Sequence, residues 1–217
     1  MPQDGWPLAW EEVRFTAQNT PFRHLAFFPD MAPVWHWMRA QIEGMDAPEC
    51  MNLFGYTGVG SLALAAKGAR VTHVDASKKS VAEGKANAAL SGMEDLPIRW
   101  MIDDAAKFTA REVRRGRRYD GIILDPPKWG RGPNGEVWKL EEGLPGLIAD
   151  ATKLLDRDSR FLFLTVYAVR MSALAIGELL RQHLSHLPGR VECGELAVRE
   201  EARGLELPTA IFARWRR

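Results

Sequence analysis

Two aspartates, Asp75 and Asp125, each follow an apolar run that is typical of a buried strand. Ligands of α/β proteins bind in the crevice outside the carboxyl ends of the strands, so both carboxylates are placed where they could meet one. Asp125 begins the sequence Asp-Pro-Pro-Lys, and two successive prolines fix the direction of the backbone after the strand. This turn can aim the carboxylate and the carbonyl group of Pro126 at a reacting atom. A carboxylate in that position orients an N–H group or accepts its proton.

The stretch 51–75 predicts half of a nucleotide-binding α/β unit, namely a strand, a glycine-rich turn, a short helix, a second strand and an acid. Glycines in the turn let the backbone approach a ligand closely, and Asp75 can accept hydrogen bonds from two ribose hydroxyls. Residues 58–63 also fit the dinucleotide pattern G-x-G-x-x-A. The turn by itself leaves three alternatives open: a nicotinamide or flavin cofactor, S-adenosylmethionine (SAM), or a tight turn that binds no ligand.

The sequence Asp-Pro-Pro-Lys favours one of these alternatives. A dehydrogenase has no use for a rigid acidic turn at the end of a strand, whereas a methyltransferase can direct it at the atom that receives the methyl group. The sequence therefore predicts SAM as the cofactor, with Asp125, Pro126 and Lys128 as candidate catalytic residues.

A second acidic pair follows the strand predicted at 98–102. Asp103, Asp104 and Ala105 would lie beside the nucleotide, and a carboxylate there can accept a hydrogen bond from the adenine amino group. We assign that role to Asp104. The competing interpretation is that the pair caps the next helix, and one residue could do each job.

Basic residues suggest two places where a nucleic acid could bind. The loop 129–135 is polar and rich in glycine and is either a substrate loop or a mobile connector. Trp129 could stack on a base, and Lys128 and Arg131 could hold phosphate. The arginines at 111–118 are either a solvated helix end or a phosphate-binding patch. The candidate substrate contacts are Pro127, Lys128, Trp129 and Arg131.

The elements that position these residues form five β-α units followed by a late pair of strands. Such a pair often closes a parallel sheet with one antiparallel strand. Strands after the first are predicted at 70–75, 98–102, immediately before Asp125, and at 161–166, 191–198 and 207–215; helices are predicted at 31–42, 61–67, 77–90, after Asp104, around 144–155 and at 172–187.

The first 49 residues are rich in proline and tryptophan and predict a lead-in arm, followed by the main domain at 50–217. The aromatic residues of the arm either pack it onto the main sheet or, at 22–29, close it over the cofactor. His24 and His36 are expected to be structural.

Bulk composition describes an ordinary globular protein. The chain has 217 residues, of which 46% are hydrophobic and 26% charged, with a net charge of +1, so any nucleic-acid binding must come from a local patch. The two cysteines have no metal-ligand spacing, and no metal site is predicted. No apolar run approaches the roughly 20 residues that span a bilayer. The N-terminus lacks the pattern of a signal peptide, and we expect a cytoplasmic protein.

Three motifs, at 52–58, 74–78 and 124–128, resemble the bacterial large-subunit ribosomal RNA methyltransferases of the cytosine-C5 type and their guanine-N7 relatives. The resemblance covers about residues 20–217. It implies a Rossmann-like class I methyltransferase, an α/β fold with a seven-stranded, mostly parallel sheet, one antiparallel strand and helices on both faces. It also implies SAM as the cofactor and RNA, specifically ribosomal RNA, as the partner. The residues expected to contact the cofactor are Phe28, Asn52, Phe54, Tyr56, Thr57, Gly58, Asp75, Ser77, Asp104, Ala105 and Asp125.

The chain departs from these relatives in two ways. They usually carry an N-terminal RNA-binding domain, so this sequence is expected to be a fragment or a minimal member. Methylation at cytosine C5 also needs a cysteine thiolate that attacks C6, which the C5 relatives place just after the fifth strand. Residues 165–169 contain no cysteine, and neither Cys50 nor Cys193 matches that motif. Methylation at nitrogen is therefore favoured over C5.

Three function classes remain open from the sequence. The first is a SAM-dependent RNA methyltransferase, the second a nicotinamide-dependent oxidoreductase, and the third a SAM-binding domain without catalysis. The second leaves Asp-Pro-Pro-Lys unexplained. A protein or a small molecule is not excluded as the acceptor.

Overall fold

The structure, a computed structural model, describes residues 5–20 and 25–217. Strands and helices alternate through most of the chain, with a small hairpin before the first helix and another after the fourth. In chain order the elements are β1 (Trp6–Trp10), β2 (Val13–Ala17), a 3₁₀ turn (Pro29–Met31), α1 (Ala32–Gln41), β3 (Glu49–Leu53), α2 (Val59–Ala65), β4 (Arg70–Asp75), α3 (Lys78–Leu90), β5 (Ile98–Ile102), α4 (Ala105–Arg114), β6 (Gly121–Leu124), β7 (Trp129–Arg131), β8 (Val137–Lys139), α5 (Leu140–Lys153), β9 (Phe161–Tyr167), α6 (Ala173–Leu184), β10 (Arg190–Arg199) and β11 (Glu206–Arg216).

The central sheet has seven strands in the order β10-β11-β9-β6-β3-β4-β5. The strands from β9 to β5 pair in parallel, and β11 runs antiparallel to both of its neighbours. This confirms the predicted Rossmann-like sheet with one antiparallel strand. The chain goes from β3 outward to β5 and then returns to the other side of β3 as β6. The crevice at the carboxyl ends of β3 and β6 is therefore the topological switch point, where such sheets bind ligands.

Each face of the sheet carries its own hydrophobic core, because successive side chains of a strand point to opposite faces. In β6, Ile122 and Leu124 belong to a cluster with the leucines of α5 and α6. Ile123, between them, belongs to the cluster that contains Trp35 of α1 and Leu62 of α2. Helices therefore cover both faces of the sheet, as predicted.

The N-terminal arm contains a hairpin that the sequence did not predict. Strands β1 and β2 pair antiparallel across a turn at residues 11–12, and Glu11 has φ +50°. Most two-residue hairpin turns with positive φ use glycine or asparagine, so this one lacks the usual sequence signal. The buried Arg39 fastens the hairpin, because its guanidinium bonds to the carbonyl of Ala63 and to the carboxylate of Glu12 and lies 4.4 Å from the centre of the Trp10 ring.

Helix boundaries differ little from the prediction. The helix predicted at 61–67 begins earlier, at Val59, since Gly58 adopts φ +80° and ends the turn there. Ser77 and Asp104 cap α3 and α4 through their side chains. None of the helices in residues 5–20 and 25–217 is long and apolar enough to cross a membrane. The cytoplasmic location and the division at residue 49 stay predictions.

Candidate active site

Two adjoining cavities lie at the switch point between β3 and β6. The larger has a volume of about 460 Å³ and the smaller about 50 Å³. The larger is lined by twelve of the predicted site residues: Phe28, Phe54, Tyr56, Asp75, Ser77, Asp104, Ala105, Asp125, Pro126, Pro127, Lys128 and Arg131. Asn52, Thr57 and Gly58 line the smaller cavity, and Trp129 lines neither.

The segment 22–29, expected to close over the cofactor, is only partly covered by the structure. Residues 22–24, including His24, lie outside the described part of the chain. Phe28 lies within it and lines both cavities. The hydroxyl of Thr57 donates to the carbonyl of Ala26 at 2.7 Å, which ties the glycine turn to this segment. The arm therefore forms part of the cavity wall.

The glycines of the turn are required by packing as well as by any ligand. A Cβ on Gly55 would lie 2.5 Å from the ring of His73, and one on Gly58 would lie 3.0 Å from Trp100. Gly58 also has a positive φ that side chains rarely adopt. The turn therefore tolerates little substitution even before a ligand is considered.

A buried polar chain supports the floor of the smaller cavity, and sequence reasoning missed most of it. The amide of Asn52 donates to the hydroxyl of Ser61 at 3.0 Å, and that hydroxyl lies 2.9 Å from Nδ1 of His73. His73 has no exposed surface, and burial lowers its pKa to about 3, so the imidazole is neutral. The one signal in the sequence was a histidine between Thr72 and Val74, in the middle of a predicted strand.

Asp75 is held by backbone groups on both sides of its carboxylate. Oδ2 accepts from the N–H of Tyr56 at 2.9 Å, and Oδ1 accepts from the N–H of Ser77 at 2.8 Å. Burial raises the pKa of Asp75, and these two hydrogen bonds lower it. The hydroxyl of Ser77 accepts from the N–H of Ser80 and so caps α3. The carboxylate of Asp75 is therefore fixed at the edge of the larger cavity.

Of the acidic pair after β5, Asp104 has the capping role that the competing interpretation gave to the pair. Asp104 caps α4 by accepting from the N–H of Lys107 at 2.9 Å. Asp103 accepts from the N–H of Asp104 and pairs with Arg111. Both aspartates also line the larger cavity, so capping does not remove Asp104 from the site.

Asp125 stands where the two cavities meet. Its Oδ1 accepts from the hydroxyl of Thr165 on β9 at 2.6 Å. The pKa of Asp125 is raised to about 6, mainly by burial; the Thr165 hydrogen bond opposes this rise and the nearby charge of Asp30 adds to it. A carboxylate with that pKa is largely ionised at pH 7 and can still take up a proton.

Tyr167 lines the larger cavity, and Asp30 lies behind it as the acceptor of its hydroxyl; neither residue was predicted as a site residue. Asp30 is 5% exposed and accepts hydrogen bonds from the hydroxyls of Tyr167 and Thr209. Burial, together with the charges of Asp125 and Asp30, raises the pKa of Tyr167, which therefore stays neutral. The sequence offered little signal, because the contacting residues come from the arm and from two late strands.

The loop after Asp-Pro-Pro-Lys is a hairpin anchored at its base. The indole N–H of Trp138 donates to the carbonyl of Pro127 at 2.7 Å, and its ring packs 5.2 Å from that of Phe54. Trp129 is 54% exposed, and the guanidinium of Arg131 lies 5.4 Å from its ring centre. The hairpin β7–β8 therefore presents an aromatic and cationic surface next to the larger cavity.

The arginine cluster at the end of α4 is largely paired with acids. Arg111 pairs with Asp103, and Arg115 and Arg117 contact Glu112. The hydroxyl of Tyr119 also donates to Glu112 at 2.7 Å. These contacts favour the interpretation of the cluster as a solvated helix end.

Comparison with known proteins places this site in context. The sequence matches no family model. The crystal structure of a SAM-dependent methyltransferase from Agrobacterium tumefaciens is 43% identical, covers 100% of this chain and 71% of that one, and has a TM-score of 0.95. The structure of SMU.776 in complex with S-adenosylhomocysteine (SAH) is 18% identical, covers 99% of this chain and 57% of that one, and has a TM-score of 0.80. At this level of identity, the second comparison supports the assignment of the fold alone.

Curated relatives match over shorter stretches. Ribosomal RNA large subunit methyltransferase I from Alteromonas mediterranea is 32% identical over 82 residues, which are 37% of this chain and 21% of that protein. Ribosomal RNA large subunit methyltransferase K/L from Shewanella baltica is 31% identical over 115 residues, 52% of this chain and 16% of that protein. The matches thus span 21% and 16% of the length of these two relatives.

Proposed function

The chain belongs to the SAM-dependent methyltransferases, and we propose that it methylates a nitrogen atom of a base in ribosomal RNA. Its cofactor is SAM. The observation that carries the choice of nitrogen is the position of the two cysteines. Cys50 is fully buried in β3, where burial raises the pKa of its thiol, and Cys193 lies on β10 against Gly177. Neither lines the two cavities, so no thiolate is placed to attack a base there.

The residues of the crevice fit the cofactor. Asp75, fixed by two backbone N–H groups, would hold the ribose, and Asp104 with Ala105 would lie beside the adenine. Asn52, Thr57 and Gly58 would contact the methionine portion in the smaller cavity, with Phe28 closing over it. When bound, SAM supplies a methyl group that is activated by a sulfonium.

The chain's own groups then act on the acceptor. Thr165 holds one oxygen of Asp125, which leaves the other to orient an acceptor N–H or to take its proton. The carbonyl of Pro126 would accept a second hydrogen bond from the same amino group. Lys128 and Arg131 would bind phosphate, and Trp129, which lies outside both cavities, would stack on a neighbouring base. Alignment of the acceptor with the methyl group can supply a large part of the rate enhancement in such a reaction.

The experiment is transfer of labelled methyl groups from SAM to ribosomal RNA isolated from a strain that lacks this gene. Digestion and mass spectrometry of the nucleosides should show one N-methylated base, and the Asp125→Asn variant should give no such product. A 5-methylcytidine product would overturn the nitrogen assignment. Label that enters protein instead of RNA would overturn the RNA assignment.

A further inference from the structure

Four residues line both cavities: Phe28, Phe54, Tyr56 and Asp125. Three of them are aromatic and the fourth is a carboxylate. A ligand that extends from one cavity into the other must pass between them. This junction has the composition of a site for a cation, because aromatic faces and carboxylates both attract positive charge.

The aromatic rings of the junction are held in place by the fold. The ring centre of Phe28 lies 6.0 Å from that of Tyr56 and 5.3 Å from that of Tyr167. Phe54 and Tyr56 have φ values of +59° and +50°, in the left-handed region that bulky residues rarely adopt. Such conformations are strained and cluster at functional sites. Two residues with this unusual backbone conformation therefore supply rings to the junction.

Two carboxylates, those of Asp125 and Asp30, bring negative charge to the junction. Thr165 and Tyr167 are two residues apart on β9, so both point to one face of the sheet. The first donates to Asp125 and the second to the buried Asp30. Two carboxylates are therefore held by hydroxyls of two residues whose Cα atoms lie about 7 Å apart along one strand. The charge of Asp30 acts on Asp125, since it contributes to the raised pKa of that residue.

The cation that this junction would bind can be identified from the chemistry of the cofactor. The larger cavity contains Asp75, the ribose candidate, and the smaller contains Asn52 and the glycine turn, the candidates for the methionine portion. The sulfur of SAM joins these two portions and carries a positive charge, whereas the sulfur of SAH is neutral.

We propose that the junction of Phe28, Phe54, Tyr56 and Asp125, with Asp30 behind it, is a charge-selective subsite that favours the sulfonium of SAM over the neutral thioether of SAH. Phe28 and Asp30 act together from the N-terminal arm, which thereby takes part in distinguishing the substrate form of the cofactor from the product form. The proposal rests on SAM as the cofactor and not on the nature of the acceptor. It can therefore stand if the RNA assignment fails.

The test is calorimetric titration of the full chain with SAM and with SAH. In Asp30→Asn and in Phe28→Leu, the ratio of the SAH to the SAM dissociation constant should fall about three- to tenfold from the wild-type ratio. The asparagine keeps an oxygen that can accept from Tyr167 and Thr209, so it removes the charge with little change in shape.

Two matched variants serve as controls. Phe27→Leu makes the same change one residue away, at a side chain that lines only the smaller cavity. Asp75→Asn removes a carboxylate that we assign to the ribose. Both should keep the ratio within about twofold, even where they weaken both ligands. Equal weakening of SAM and SAH in Asp30→Asn and Phe28→Leu, or no change in either, would overturn the proposal. Thermal unfolding checks each variant, and if one does not fold the other still decides.

Discussion

The two ends of the crevice are built in different ways. At the Asp75 end, the bonds that fix the carboxylate come from Tyr56 and Ser77, at most 19 residues away in sequence. At the Asp125 end, the groups that bond to Asp125 and Asp30 come from two strands, β9 and β11, and Asp30 and Thr209 are 179 residues apart. The first end is a local motif, whereas the second exists only once the sheet and the arm have assembled. Substitutions should therefore affect the two ends differently.

Removing the carboxylate at the Asp125 end should have the largest effect. Asp125→Ala should lower turnover by about 10²–10⁴-fold, the range for loss of a general base. Its affinity for SAH should change little, because that ligand carries no charge at sulfur. Single-turnover methylation and SAH titration measure the two quantities. An Asp125→Ala enzyme with near wild-type turnover would mean that this end only shapes the cavity.

Removing the carboxylate at the Asp75 end should instead weaken binding. Asp75→Ala should cost about 1.5–3 kcal/mol of SAH affinity, as for the loss of a hydrogen bond to a charged group. Asp104→Ala offers a comparison, because Asp104 caps α4. If capping is its main role, this variant should lose about 1 kcal/mol of unfolding free energy and little affinity. Wild-type SAH affinity in Asp75→Ala would remove the ribose assignment.

The raised pKa of Asp125 gives a pH prediction. Since the pKa of Asp125 is raised to about 6, turnover should fall about tenfold at pH 5 as this base becomes protonated. SAH affinity should change less over the same range. The Asp30→Asn variant should move the acid limb of the rate profile to lower pH, because it removes a charge that raises the pKa of Asp125. If the acid limb does not move in this variant, the charge of Asp30 does not act on the pKa of Asp125.

The raised pKa of Asp125 also affects stability, but in the opposite pH direction: turnover is lost at low pH, whereas stability is lost at high pH. The folded-state pKa of Asp125 lies above the ordinary value, so the folded state binds the proton more tightly than the unfolded chain does. The contribution of this group to stability is therefore present at low pH and lost as the pH rises through about 6. The side chain faces the cavity and is partly solvated, so we expect a gain of about 1 kcal/mol at pH 8 in Asp125→Asn. Denaturant titration at two pH values measures it.

The same contrast explains what the sequence could predict. Strands β4 and β5 have the predicted bounds, since turn residues and apolar runs mark them locally. The local motif at Asp75 could likewise be predicted from the sequence. Its glycine turn fits several nucleotide cofactors, and only Asp-Pro-Pro-Lys favoured SAM among them. The hairpin β1–β2 was missed because its turn uses Glu11 in place of glycine. Asp30 was missed because its role depends on Tyr167 and Thr209, which no local pattern links to it.

The smallest effect is expected from replacing the two cysteines, because neither lines the cavities. Cys50 and Cys193 lie outside both cavities, so replacing them should leave turnover within about twofold of wild type if no thiolate takes part. Alanine is the suitable replacement at Cys50, because serine would bury a hydroxyl at a site with no exposed surface. The Cys50→Ala/Cys193→Ala variant should fold, bind SAH and methylate at the wild-type rate. A variant that folds and binds SAH but has lost turnover would restore the cytosine-C5 mechanism and reduce Asp125 to a positioning role.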